Sequence, residues 1–219
     1  MSKLYFRYGA MGASKSLNLL AVVGNYVSQK DLYALTMLPK MPGVDYSKME
    51  YFDLQVKSRF EGYLGGTCGR VADGIIDEKG DFFDIHGSTV SRSIMSCILV
   101  DEAQFLTEEA VSTLYRIAHA EGIPVICYGL RTDFRGLLFP GSKRLLELAD
   151  SIEEIKTLCE ECHRLKATFN IRVDEEGDPV REGPQVALKE DTSVTYRSIC
   201  GNCFVGWGLE KVCTNGKTE

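Results

Sequence analysis

The chain has 219 residues, 44 % of them hydrophobic and 26 % charged, enough for one large domain with a real core, alone or with a small appendage. Acidic residues outnumber basic ones by 31 to 25, a formal net charge of −6, which argues against non-specific nucleic-acid binding but leaves room for a phosphorylated ligand. No apolar run approaches the roughly 20 residues that span a bilayer, and the first residues lack a signal peptide, so a cytoplasmic chain with no membrane partner and with reduced thiols is expected.

Leu4 to Tyr8 reads as a short buried strand that runs into Gly9-Ala10-Met11-Gly12-Ala13-Ser14-Lys15-Ser16. Leu17, Leu20, Val23 (or Gly24) and Val27 then repeat at helical spacing. Strand, glycine-bearing turn and helix are the first half of a βαβ unit. The octet resembles a Walker A loop, Gly-x-x-x-x-Gly-Lys-Ser/Thr, with Ser14 where the motif has glycine. Such a loop aims backbone amides at phosphate oxygens ahead of a helix N-terminus. Lys15 is expected to reach the β- and γ-phosphates and Ser16 to ligate Mg²⁺, while the side chain at 14 restricts the loop or crowds the phosphates. A plain strand-to-helix turn with an incidental lysine is the alternative.

Residues 30 to 38 suggest a second strand. Residues 39 to 92 carry Pro39, Pro42 and several glycines, with a turn expected at Glu78-Lys79-Gly80-Asp81 between two short apolar stretches. Ser93 to Val100 is a near-continuous apolar run of the kind found in central parallel strands, and it ends in Asp101-Glu102. Asp101 suits a Walker B carboxylate, on a strand adjacent to the phosphate loop, holding Mg²⁺; Glu102 is then available as a general base for a substrate hydroxyl. Acidic residues at strand ends are often only helix caps, and the coupling to Lys15 and Ser16 is what favours chemistry.

A helix is predicted from Thr107 to about Ala120, ended by Gly122-Ile123-Pro124, and a buried strand from Val125 to Leu130. Lys143-Arg144 leads a further helix to about Asp150, and Ile152 to Thr157 reads as the last strand of the core. This alternation implies an α/β fold, a parallel sheet with helices on both faces, over residues 1–157. Residues 158–206 differ in character and read as a separate zinc module, followed by a polar, frayed tail over 207–219.

Cys159-x-x-Cys162 and Cys200-x-x-Cys203 supply four thiolates from two knuckles, the composition of a closed structural Zn²⁺ site. A redox pair belongs early, after a βαβ start, and four sulfurs leave a catalytic zinc no open position. His163 is an alternative ligand but reads better as a surface residue, and Cys97 and Cys127 read as small buried hydrophobes.

Asp101-Glu102-Ala103-Gln104-Phe105-Leu106 resembles the Asp-Glu-x-Gln-Phe signature of the type II thymidine kinases. Tyr128 to Gly136 with Phe139, Glu153 to Thr157, the cysteine pairs, Lys166-Ala167-Thr168-Phe169 and Tyr196-Arg197-Ser198-Ile199-Cys200 continue the likeness in order. It covers residues 4 to 27 and 93 to 203. The resemblance implies a P-loop, RecA-like kinase domain with a zinc-binding lasso domain, phosphorylating the 5′-hydroxyl of thymidine with ATP. It implies Glu102 as the base, Met11, Leu130, Phe134 and Phe139 around the nucleobase with Phe134 stacked on thymine, and Tyr196 on the lasso. Arg59, in Ser58-Arg59, joins the substrate-binding set, Arg135 lies near the transferred phosphate, and the assembly is a homotetramer. Two departures stand out besides Ser14: Ser58-Arg59 has no clear Asp-x-Arg partner upstream, Asp45 and Asp53 being loose candidates. In addition, Ala187 to Thr195 is longer than the family's lasso and lacks its Gly-Gly pair. A kinase of another pyrimidine nucleoside, and a divergent relative that binds a nucleoside or nucleotide and has lost efficient transfer, are the rival readings.

Overall fold

A computed structural model describes residues 2–29, 32–41, 73–84, 89, 95–185 and 194–209. Arg59, Ser58, Asp45, Asp53, most of the stretch corresponding to the lasso and residues 210–219 lie outside them.

Seven strands, β1 (Leu4–Tyr8), β2 (Ala34–Pro39), β3 (Gly74–Ile76), β4 (Phe82–Asp84), β5 (Cys97–Val100), β6 (Val125–Gly129) and β7 (Ser151–Glu154), form one sheet among the described residues. Their order is β4-β3-β2-β5-β6-β1-β7. Every neighbouring pair is parallel except β3 and β4, an antiparallel hairpin closed by the expected turn at residues 78–81. Asp77 Oδ1 accepts from the backbone N–H groups of Lys79 and Asp81 at 3.0 and 2.8 Å and so holds that turn.

The apolar runs are explained by burial on both faces. Alternate residues Leu4, Phe6, Ile98, Val100, Val125 and Cys127 pack against α2 (Glu108–Arg116) and α3 (Pro140–Leu148) through Val111, Leu114 and Leu145. Their neighbours Cys97, Leu99, Ile126 and Tyr128 face α1 (Lys15–Val27) through Leu19 and Leu20. Helices therefore cover both sides, and these central strand residues have apolar partners whichever way they point. Helix α2 starts where Thr107 Oγ1 accepts from Ala110 N at 3.0 Å, with Glu108 and Glu109 in the first turn.

Several boundaries differ from those read in the sequence. The central strand begins at Cys97 rather than Ser93, and α2 closes in a wider π-type turn over Ile117–Glu121 before Gly122. Helix α3 starts at Pro140, three residues ahead of the basic pair, because proline at the first helical position gives up only an N–H that would be unpaired there anyway. The strand read over 152–157 is divided: β7 stops at Glu154, and Thr157–Leu158 (β8) pairs instead with Lys166–Ala167 (β9).

Beyond β7, β10 (Phe169–Val173) and β11 (Thr195–Ile199) form an antiparallel hairpin followed by a short helix α4 (Gly201–Gly206). One hairpin face contributes Ile171, Val173 and Ile199 to a small apolar cluster with Cys159, Cys200, Phe204 and Leu209, against which Trp207 packs. The other face carries Asn170 opposite Ser198 and Arg172 opposite Tyr196. No helix of the described residues is long and apolar enough to cross a membrane.

Candidate active site and metal centre

The phosphate loop leaves the C-terminal end of β1. Gly9 N donates to Gly129 O at 3.2 Å, and a Cβ on Gly9 would meet Ile155 O at 2.4 Å, so only glycine lets the loop cross between β6 and the end of β7. Ser14, at the position where the Walker motif has glycine, takes the left-handed conformation, φ 58° and ψ 32°, with its side chain exposed. Glycine would adopt this conformation freely, and serine does so at a local cost of about 1–2 kcal/mol. Lys15 begins α1, and its ammonium donates to Ala10 O at 2.9 Å and Gly9 O at 3.3 Å, inside the loop. Burial lowers its pKa, an effect opposed by the charges of Glu102 and Asp101.

In the sheet β6 lies between β5 and β1. The first turn of α1 spans that gap. Ser16 Oγ donates to Asp101 Oδ2 at 2.9 Å, bringing the two expected Mg²⁺ ligands together. Asp101 is 2 % exposed, and burial with the adjacent Glu102 charge pushes its pKa up to about 6.

Glu102 is held at φ 52°, another left-handed non-glycine residue. Gln104, 1 % exposed, donates through Nε2 to Glu102 Oε2 and accepts from Leu130 N through Oε1 at 3.0 Å. Gly129 and Gly141 admit this turn: a Cβ on Gly129 would stand 2.7 Å from Gln104 Oε1, and one on Gly141 2.5 Å from Ala103 O. The carboxylate of Glu102 is therefore positioned by strand end, turn and helix start together.

Of the residues expected around a nucleobase, Met11 is 38 % exposed at the loop, while Phe134 and Phe139 are buried. Phe139 meets Phe105 edge-on, with ring centroids 5.6 Å apart. Phe134 has the Arg172 guanidinium 4.1 Å from its ring centroid, and Arg172 donates to Tyr196 Oη at 2.7 Å and to Pro184 O at 3.1 Å. The hairpin face thereby joins Phe134 to Tyr196. Arg135 is tied back onto its own turn by Asp133, Nη2 to Oδ2 at 2.8 Å, with the Asp133 side chain fully buried. Leu130 is linked to Glu102 through Gln104.

Arg172, Asn170 and Ser198 were not singled out from the sequence. All three are buried, at 3, 4 and 0 % exposure, yet they sit on the polar side of strands whose alternation suggests a solvated face. A buried polar strand face shows no signal in one sequence, since solvent and a neighbouring loop favour the same residue types.

The two cysteine pairs do converge. The sulfurs of Cys159, Cys162, Cys200 and Cys203 lie within 4.8 Å of one another, with Cys159–Cys203 and Cys162–Cys200 each at 3.8 Å. Sulfurs about 2.3 Å from a tetrahedral zinc stand about 3.8 Å apart, so the cluster fits that ion. Backbone N–H groups of Arg164 and Leu165 push the Cys162 thiol down to about 6, while burial and the neighbouring thiols push Cys203 up to about 12, so it is the sulfur positions that carry the fit to a metal. His163 is an exposed turn residue outside the cluster.

Known proteins resemble this chain along most of its length. The family model described as thymidine kinase matches residues 73–204. A thymidine kinase of Novosphingobium aromaticivorans is 43 % identical over 204 residues, covering 93 % of this chain and 97 % of that protein. One of Chromobacterium violaceum is 42 % identical over 206 residues (93 % and 98 %), and one of Shouchella clausii 39 % over 206 residues (93 % and 96 %). A crystal structure of the Pif1 helicase from Candida albicans overlaps 70 % of this chain and 36 % of its own at 11 % identity and TM-score 0.36, too slight a likeness to carry an argument. With relatives this similar along nearly their whole length, the chain belongs to the thymidine kinase family.

Proposed function

We infer that the chain transfers the γ-phosphoryl group of ATP to the 5′-hydroxyl of thymidine, giving dTMP and ADP. The observation that supports this most directly is the Ser16–Asp101 hydrogen bond of 2.9 Å, which joins the phosphate loop to the strand end carrying Glu102. In this reading residues 9–16 cradle the phosphates with backbone N–H groups, and Lys15 turns from the Ala10 and Gly9 carbonyls to the β- and γ-phosphates. Ser16 and Asp101 hold the Mg²⁺ that accompanies ATP, an ion that offsets phosphate charge. Glu102 accepts the 5′-hydroxyl proton as that oxygen attacks in line, and Gln104 keeps the carboxylate aimed. Met11, Leu130, Phe134 and Phe139 surround thymine, with Arg59 and Tyr196 completing the substrate site.

Cys159, Cys162, Cys200 and Cys203 hold a structural zinc in a module spanning 158–206, beside a kinase domain of residues 1–157. A cytoplasmic homotetramer is part of the same reading, and light scattering on the purified chain tests the assembly. The deciding experiment incubates the chain with γ-labelled ATP, Mg²⁺ and thymidine, alongside a panel of other nucleosides. Labelled dTMP is expected; product only from another pyrimidine nucleoside would replace the substrate, and no product at all would sink the reaction. Glu102→Gln should reduce turnover about a thousandfold while thymidine still binds. Near-normal turnover in that variant would remove Glu102 from the mechanism.

A further inference from the structure

The hairpin that carries the second cysteine pair also grips the phosphate loop. Met11 N donates to Asn170 Oδ1 at 2.7 Å, and Ser198 Oγ donates to Met11 O at 2.6 Å. Asn170 and Ser198 face each other across the β10–β11 ladder, 4 % and 0 % exposed, with Ser198 Oγ 3.3 Å from Asn170 Oδ1. Both hydrogen-bonding groups of one loop residue are thus held by two buried side chains far away in sequence. The other side of Ser198 is fixed to the first cysteine knuckle: its N–H donates to Glu160 Oε1 at 3.1 Å, and its carbonyl accepts from Glu160 N at 2.8 Å. Glu160 lies between Cys159 and Cys162, and Cys200 is two residues past Ser198.

We propose that Asn170 and Ser198 are positioning residues that latch the phosphate loop to the metal-held hairpin, so that metal occupancy sets the affinity for ATP. The inference rests on the ATP-dependent reading above and deepens it. The loop residues that follow Met11 include Gly12 at φ 72° and Ser14 at φ 58°, a run with weak conformational preference of its own. A latch at Met11 fixes the start of that run and orients the N–H groups that follow. With the four sulfurs released, the Glu160 knuckle and β11 lose their common anchor, and the grip on Met11 loosens with them.

The test measures Mg-ATP affinity by calorimetry, without an acceptor, on the full chain with zinc bound and after chelation. In the parent chain chelation should weaken ATP about tenfold, the worth of one to two hydrogen bonds. The Asn170→Ala/Ser198→Ala variant, with its zinc content checked by elemental analysis, should start about tenfold weaker, and chelation should then add less than about twofold. An equal chelation effect in parent and double variant, or unchanged ATP affinity in the variant, overturns the latch. Should the double variant fail to hold zinc, hydrogen exchange on the parent decides: amides of residues 9–16 must exchange faster after chelation, and unchanged exchange overturns the proposal. A parent chain that binds ATP with this metal dependence yet leaves thymidine unphosphorylated would sink the thymidine reading and leave the latch standing.

Discussion

Asp101 is 2 % exposed and stands beside Glu102, and Lys15 offsets only part of the cost of that burial. Its pKa rises from an ordinary 3.8 to about 6, chiefly through burial. A carboxylate raised on folding binds its proton more tightly in the folded chain, so stability falls as pH rises from about 4 to about 6 and stays lower above that. Asp101→Asn should therefore stabilise the metal-free protein at pH 8 by about 1–3 kcal/mol, with roughly half that gain left at pH 5. Thermal melts at the two pH values check this, and an Asn variant no more stable at pH 8 would mean that the charge is already compensated. The same variant should lose kinase activity, since the neutral amide is a poor Mg²⁺ ligand. That Lys15, Ser16, Asp101 and Glu102 come together was legible in sequence, because each is tied to a local pattern, a glycine loop or the end of an apolar run. Asn170, Ser198 and Arg172 were not, because their partners Met11 and Phe134 are distant in the chain and polar residues alternating with apolar ones look solvent-facing.

At the level of elements, β1, α1, β5, α2 and β6 could be read because burial on two faces writes continuous apolar runs or a helical stripe. The start of α3 could not, because Phe139-Pro140-Gly141 has the composition of a turn. Packing decides there: Gly141 lets the helix approach the turn that carries Gln104 and Glu102. An alanine at 141 would put its Cβ 2.5, 2.7 and 2.9 Å from the carbonyl oxygens of Ala103, Leu106 and Gln104, backbone atoms that have no rotamer to yield. Gly141→Ala should cost about 1–3 kcal/mol of stability as α3 backs away. The displaced turn should also lower kcat about tenfold, with little change in the KM for ATP, because the phosphate loop is built from other elements. Steady-state kinetics on the variant separate the two parameters. A stable variant with parental kcat would show that the turn tolerates the shift.

For the molecule as a whole, two apolar clusters pack on the faces of the large sheet, and a third is confined to the cysteine hairpin. The third includes Cys159 and Cys200 themselves, with Ile171, Val173, Ile199, Phe204 and Leu209, too small a core to hold a fold by burial alone. Besides its contacts with Met11 and Phe134, the hairpin has the four sulfurs, and a metal bound there would stabilise it, so removing that metal should loosen the hairpin while the sheet persists. The chain provides its own reporter, since Trp207 is the only tryptophan and packs on this cluster. Chelation at neutral pH should shift Trp207 emission to the red and open it to acrylamide quenching, with the far-ultraviolet circular dichroism of the sheet and its helices largely kept. On heating, the chelated chain should show an early fluorescence transition and a later one by dichroism, where the zinc-loaded chain shows closer coincidence. Re-adding zinc should restore the blue emission. Coincident loss of both signals on chelation would mean that the hairpin and the sheet unfold as one unit, the hairpin's polar face being as much a part of the core as its apolar one.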